Sequence, residues 1–212
     1  MQGRPAGARS TTLDAISLAM RAVVRTIKRL SRIAAAVFTF SLPAAGAAGP
    51  DLCEREMTRA AAKHGVPLGM LYAVGLTETG RGDSLHPYAL NVEGRASYDL
   101  RKADALQRFK SALASGTKLI DIGCMQVNYH FHAQQFRSVE QMLEPAANVD
   151  YAARFLKDLK AREGTWTMAV ARYHAGPDND PAQKRYVCRV ISNMVVTGFG
   201  DWTPQSRAFC ER

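Results

Sequence analysis

From Leu68 to Glu78 the chain reads Leu-Gly-Met-Leu-Tyr-Ala-Val-Gly-Leu-Thr-Glu, apolar at nearly every position and uncharged until its last residue. Such a run predicts a helix that is apolar nearly all round and therefore central. Pro67 stands where a first-turn proline is tolerated, and Gly80 marks the stop. Upstream, Asp51 is placed to cap a helix with Glu54 at its third position and Gly65 past its end. Between Arg81 and Asp99, Pro, Gly, Asn and Asp interleave with Tyr88, Leu90, Val92 and Tyr98, a pattern that predicts an irregular segment with room for a small β-hairpin.

Helical signals then resume. Ala103 to Ala114 predicts a helix ended by Gly116, and Ser138 with Gln141 forms a capping-box pair over a short helix before Pro145. Val149, Ala152, Leu156 and Leu159 fall at helical spacing and stop at Gly164. Another helix runs from Thr165 through Tyr173 to Gly176-Pro177, and Pro181 to Val195 reads as the last. The fold class expected is mainly α.

With 212 residues, 47% of them hydrophobic, the composition is that of an ordinary globular chain. No fixed-period repeat or long polar tract interrupts it, which argues for one packed unit with appendages. The formal net charge is +9, but Arg4, Arg9, Arg21, Arg25, Lys28, Arg29 and Arg32 against Asp14 put +6 of it before Ala48. Only +3 remains for residues 48–212, where acids and bases alternate along the later helices, so nucleic-acid binding loses its main support.

The basic run Arg25 to Arg32, the short apolar stretch Ile33 to Ala45 and the small residues Ala45-Gly46-Ala47 together make the three-part pattern of a secretory signal peptide over residues 1–47. Met20 would be the more ordinary start, which makes residues 1–19 read as a mis-assigned beginning. An uncleaved anchor is the alternative, since Ile33 to Pro50 carries no charge; Pro43, two glycines and a short apolar part weigh against it. The mature protein is thus expected to be periplasmic or secreted.

All four cysteines, Cys53, Cys124, Cys188 and Cys210, follow the expected cut. An even count in an exported chain suggests two disulfides, with three pairings open. The preferred one joins Cys53 to Cys124, clamping the first helix to a later loop, and Cys188 to Cys210, closing a local C-terminal loop. No Cys-x-x-Cys occurs, and His130-x-His132 has no third ligand at a sensible spacing, so no metal and no cofactor is expected.

Glu78 is the residue out of keeping with its surroundings. A carboxyl at the end of an apolar helix is disfavoured in its charged form by desolvation and by the negative end of the helix dipole. Both effects would hold its proton, suiting it to protonate a leaving oxygen. The bland reading is a surface Glu paired with Arg81 or bonded by Thr79. A second cluster is Asp121-Ile-Gly-Cys-Met-Gln-Val-Asn128. There Gly123 permits close backbone approach, and Gln126 and Asn128 offer the amides that hold sugar hydroxyls and acetamido groups. Its plain alternative is a polar turn after a helix. In a third, Ala169-Val-Ala-Arg-Tyr-His-Ala-Gly176, Tyr173 is placed to bond the acid or pack under a sugar ring, unless it is simply a core aromatic.

These segments, in this order, resemble the lytic transglycosylase family, with its soluble-transglycosylase or goose-type lysozyme-like domain. The strings that carry the resemblance are Leu71-Tyr-Ala-Val-Gly-Leu-Thr-Glu-Thr-Gly80, Gly123-Cys-Met-Gln-Val-Asn128, Ala171-Arg-Tyr-His-Ala-Gly176 and the Pro145-Ala-Ala-Asn148 helix start, together covering about residues 53–176. Thr79 stands where the family often has Ser, His174 where it often has Asn, and Cys124 where Leu or Ile is usual. The resemblance implies a lysozyme-like transglycosylase domain over 48–176, with a C-terminal helical extension over 177–212 packed through Tyr186, Val190 and Met194.

It further implies cleavage of peptidoglycan glycan strands between N-acetylmuramic acid and N-acetylglucosamine, closing a 1,6-anhydro ring. Glu78 would be acid and then base, in a substrate-assisted mechanism that dispenses with a second carboxylate. Thr79, Gly123, Gln126, Asn128 and Tyr173 would bind substrate, and Met125 would line the cleft floor. A monomer is expected, with envelope-spanning secretion or flagellar machinery as a partner the resemblance allows. Two other functions fit the same fold. A hydrolytic muramidase would need a second carboxylate, for which Asp83, Glu93 and Asp99 are available; a non-catalytic wall-binding component would not need Glu78 at all. Trp166 and Trp202 would stack on sugars or belong to the core.

Overall fold

The computed structural model describes residues 52–79, 84–176 and 178–211; the expected leader, with Asp51, Gly80, Asp83 and Pro177, lies outside them. Among the described residues no helix is long and apolar enough to cross a membrane.

The chain enters through α1 (Leu52–His64), which turns Cys53, Met57, Ala60 and Ala61 inward at helical spacing. The carbonyl of Pro67 accepts the amides of Met70 and Leu71 and so starts α2 (Leu68–Thr79). Leu71, Ala73 and Val74 have no exposed surface, as an all-apolar helix requires. Gly75 at its middle keeps the packing close: a Cβ there would fall 2.4 Å from Met57 Cε and 3.2 Å from Leu85 Cδ2.

The irregular segment that follows contains the expected hairpin, β1 (Leu90–Val92) and β2 (Arg95–Ser97), turned on Glu93 and Gly94 with φ of 50° and 84°. Two consecutive positive φ angles give the turn whose twist matches that of the strands. After α3 (Lys102–Ala114) come β3 (Ile120–Ile122) and β4 (Val127–Asn128), which complete an antiparallel sheet of order β2-β1-β3-β4. Its register sets Asn91 opposite Asp121 and Asp121 opposite Asn128. The segment from Asp121 to Asn128, open to reading as a polar turn, is a turn at residues 123–126 whose two ends pair as β3 and β4.

The remaining chain is helical. α4 (Tyr129–His132) and α5 (Val139–Met142) are single turns, the second capped by Ser138, whose hydroxyl accepts the Gln141 amide at 3.3 Å. The side-chain carbonyl of Gln141 reaches back to the amide of Arg137 at 2.7 Å, one residue before the position a capping box prescribes. α6 (Pro145–Glu163) ends at Gly164, and α7 (Trp166–His174) starts at Thr165, whose hydroxyl accepts the Met168 amide. α8 (Asp180–Val196) is not the last helix, contrary to expectation: α9 (Pro204–Glu211) follows, capped by Thr203 and Ser206. It is short, and none of its residues is fully buried.

Packing centres on two long helices. α6 lies against α1 and α7, burying Val149, Ala152, Leu156 and Leu159, while α8 lies against α2, α7 and α9. On α8, Tyr186 and Val190 are buried and Met194 is partly buried against the core. The disulfides are Cys53–Cys124 and Cys188–Cys210, the preferred pairing.

Candidate functional site

The last turn of α2 delivers Glu78 to the edge of this core with 16% of its side chain exposed. Tyr186 of α8 donates its hydroxyl to Glu78 Oε1 at 2.6 Å. Burial, reinforced by the negative charge of Glu78, holds the Tyr186 phenol well above its ordinary range, so the hydroxyl keeps its proton and acts as the donor. His174, at the end of α7, stacks on the Tyr186 ring at 4.2 Å and 3°, with Nδ1 at 3.9 Å from the same carboxylate oxygen. Sequence reasoning gave Tyr186 a packing role alone. It lies 108 residues from Glu78, in a helix where one buried tyrosine looks like any other.

Thr79 does not join the cleft. It is fully buried, and its hydroxyl donates to the carbonyls of Gly75 at 3.1 Å and Cys124 at 3.3 Å, tying α2 to the loop between β3 and β4. That loop is built around Asn148 of α6. The Asn148 amide has no exposed surface; its Nδ2 donates to the carbonyls of Ile122 (2.9 Å) and Met142 (3.1 Å), and its Oδ1 accepts the Met125 amide (2.9 Å). Gly123 is required where it is, since with φ of 79° a Cβ would fall 2.8 Å from Asn148 Nδ2. Gly123 therefore faces Asn148 and not a ligand.

Met125 is corrected as well. Its side chain is fully buried beneath the loop, beside Gly75, and forms no cleft floor. Its carbonyl accepts the Tyr173 hydroxyl at 2.8 Å, so Tyr173 fastens the loop and not Glu78, although the residue still lines the cleft. Gln126, at φ of 43°, spends its Nε2 on the carbonyls of Gly123 (3.0 Å) and Ala89 (3.2 Å), which leaves its side-chain oxygen to offer a ligand.

Glu78, Gln126, Asn128, Tyr173 and His174 line one cavity of about 270 Å³, and Asn91 and Asp121 line it with them. Asp121 opens the second cluster, where sequence reasoning gave it no role of its own. Asn128 Nδ2 donates to its Oδ1 at 2.7 Å and Asn91 Nδ2 to its Oδ2 at 3.1 Å, an arrangement that follows from the sheet register. Burial raises its pKa and the charge of Glu78 pushes the same way, against the two amide donors and His174. Asn91 Oδ1 is buried with no hydrogen-bond partner among the described residues. The far wall is aromatic: Phe131, more than half exposed, then His132, and Tyr151 stacked on Phe155 at 6.0 Å and 7°. The Tyr151 hydroxyl lies 2.7 Å from His132 Nδ1, and burial raises the pKa of the phenol and lowers that of the imidazole.

Of the other candidate carboxylates, the two among the described residues do not line this cavity. Asp99 pairs with His86 at 3.0 Å, and Glu93 sits in the exposed hairpin turn. Trp166 packs against the core, while Arg207 covers the Trp202 ring at 5.6 Å; neither lines the cleft. Among the described residues no three His, Cys, Asp or Glu side chains are grouped to hold a metal ion.

This mainly α, lysozyme-like architecture agrees with comparison to known families: the transglycosylase SLT domain matches residues 56–192, a span that continues past α7 to take in Tyr186. No curated protein and no solved structure gives a significant match. The matched span covers more than half of the chain and contains Glu78, the Gly123–Asn128 loop, Tyr173 and Tyr186. The chain belongs to the transglycosylase SLT domain family.

Proposed function

We propose that the protein is an exported peptidoglycan lytic transglycosylase that cleaves between N-acetylmuramic acid and N-acetylglucosamine with Glu78 as acid and then base. The observation that carries this reading is the nearly buried carboxyl of Glu78, bonded by the Tyr186 hydroxyl at 2.6 Å, in the same cavity as the amides of Gln126 and Asn128. Glu78 gives its proton to the glycosidic oxygen as the bond to C1 breaks, and the substrate's own acetamido carbonyl closes on C1. The carboxylate then takes the proton of the C6 hydroxyl, whose oxygen displaces the acetamido group and forms the 1,6-anhydro ring. Tyr186 holds Oε1 in place through both steps, leaving Oε2 to carry the proton.

The Asn91 and Gln126 side-chain oxygens are suited to accept from sugar N–H or O–H groups, and the Phe131–Phe155 wall is suited to pack against ring faces. The leader over residues 1–47 supports export, and the two disulfides accord with it.

A hydrolytic muramidase is the second reading, favoured by one observation: Asp121 shares the cavity with Glu78 and would supply the second carboxylate that water activation needs. Product chemistry separates the two. Sacculi digested with the protein should yield 1,6-anhydro ends by mass spectrometry, and Glu78→Gln should lower the rate about a thousandfold, the scale of a lost general acid. Reducing ends would overturn the transglycosylase reading, and undiminished cleavage by Glu78→Gln would overturn the role of Glu78.

A further inference from the structure

A second groove, of about 660 Å³, shares His174 with the catalytic cleft and includes Tyr186, the residue that holds Glu78. It runs along the first half of α8 and is bordered by the end of α9, which the Cys188–Cys210 disulfide ties to α8. Lys184, Arg185 and Arg189 line it against one acid, Glu211.

Some cations elsewhere on the surface meet carboxylates, Arg59 pairing with Glu56, Lys63 with Asp150, Arg101 with Asp104 and Lys102 with Glu144, while Arg154 and Arg207 lie over the rings of Tyr151 and Trp202. Among the described residues no carboxylate pairs with Lys184, Arg185 or Arg189. Their contacts are to rings instead, Lys184 Nζ over Phe209 at 5.7 Å and Arg189 Cζ over Tyr186 at 6.0 Å. Arg185 and Arg189 also stand four residues apart on one helix, a like-charge spacing that costs stability unless an anion lies between them.

We propose that this groove binds the carboxylates of the peptide carried by the muramyl sugar, so that Lys184, Arg185 and Arg189 recognise a multiply anionic peptide attached beside the bond to be cut. The proposal rests on the reading of the protein as a peptidoglycan lytic transglycosylase. Three features select this ligand. The groove meets the cleft at His174, so its occupant is joined to whatever sugar the cleft holds. With every lactyl carboxyl taken up in the amide that carries a peptide, the glycan itself is uncharged, so the peptides are the part of that polymer that cations can grip. And the surplus of only +3 over residues 48–212 is too small to gather polyanions at large, which makes the local cluster selective for a short charged arm. Guanidinium groups suit carboxylates geometrically, and binding at a distance from the reacting atoms helps orient the scissile bond.

The test compares peptide-bearing strands with strands stripped of peptide by an amidase, which keep one lactyl carboxylate per muramyl sugar in place of the multiply charged peptide, using the wild type and a Lys184→Gln/Arg185→Gln variant that spares Arg189 because it touches Tyr186. The wild type should show kcat/KM about tenfold higher on peptide-bearing strands, as two or three charged contacts would give, and the variant should lose most of that ratio. A ratio that is the same in both proteins overturns the proposal. Binding is read separately on Glu78→Gln by calorimetry with the soluble stem peptide, with the same peptide carrying amidated carboxylates, and with a short oligonucleotide of equal charge. The free peptide should bind at least about fivefold tighter than either control.

Oligonucleotide binding as tight as that of the peptide would overturn the assignment of the ligand. The two readings fail in different ways. Cleavage without any peptide dependence sinks the groove alone, whereas peptide binding without cleavage of either strand sinks the catalytic reading and leaves the groove standing.

Discussion

Replacing Asn148 by alanine should destabilise the protein more than any other single polar truncation near the cleft. The side chain is fully buried and makes three hydrogen bonds to backbone, to Ile122 O, Met142 O and Met125 N–H. Each is worth about 1 kcal/mol net, and its loss leaves a buried backbone group without a partner at a further cost of about 1–3 kcal/mol unless water enters. The disulfide at Cys124 still holds one end of the loop, so relaxation will recover part of this. The expected loss is about 3–5 kcal/mol. Urea denaturation under conditions that keep the disulfides should show the midpoint lowered by about 2 M with little change in slope. Asn148→Asp is the sharper companion. It keeps an acceptor for Met125 N–H but turns a carboxylate oxygen toward two carbonyls, and it should cost at least as much as alanine despite its nearly identical shape. A loss below about 1 kcal/mol in both variants would refute the view that Asn148 organises the Gly123–Asn128 loop.

Two further outcomes follow from the site. Tyr186→Phe keeps the ring against His174 and removes the hydroxyl from Glu78 Oε1, so kcat should fall about 10- to 100-fold, the value of a hydrogen bond to a charged group, with the far-ultraviolet spectrum unchanged; an unaltered kcat would remove Tyr186 from the mechanism. Because burial raises the pKa of Asp121, the folded protein holds that proton where the unfolded chain has released it, and the wild type should lose stability as pH rises from 3.8 through the raised value. Asp121→Asn removes that slope, so its melting temperature should gain on the wild type between about pH 3 and pH 7, and parallel curves would show that Asp121 carries no such penalty.

Much of the helical frame was legible because its punctuation is local. Pro67, Gly164, Thr165 and Ser138 each act within a turn of the helix they start or stop, and the structure has boundaries at or next to each of them. Glu78 was legible for a different reason, as a charge closing an apolar helix. What escaped was the partnership of residues remote in sequence. Asp121 belongs to a strand of three residues, too short to show alternation, and its importance comes from Asn91 across the sheet and from the cavity both enter. Thr79, Gly123 and Met125 lie beside the right residues but face inward, because a loop that must hold Gln126 at a positive φ needs its neighbours for anchorage. Tyr186 and Tyr173 exchanged expected tasks, a matter of which helix end points at α2 and which at the loop, and that is settled by how α7 and α8 pack.

The tether from Cys53 to Cys124 makes the cleft depend on its surroundings. It fastens the loop that carries Gln126 to the first helix of the domain, across 71 residues of chain, and it exists only where thiols become oxidised. In a reducing cytosol the same loop hangs on Asn148, Thr79 and Tyr173 without a covalent hold. On the proposed reading of an exported enzyme, the loop would gain that covalent hold only after export, and the site would be stiffest in the compartment that contains its substrate.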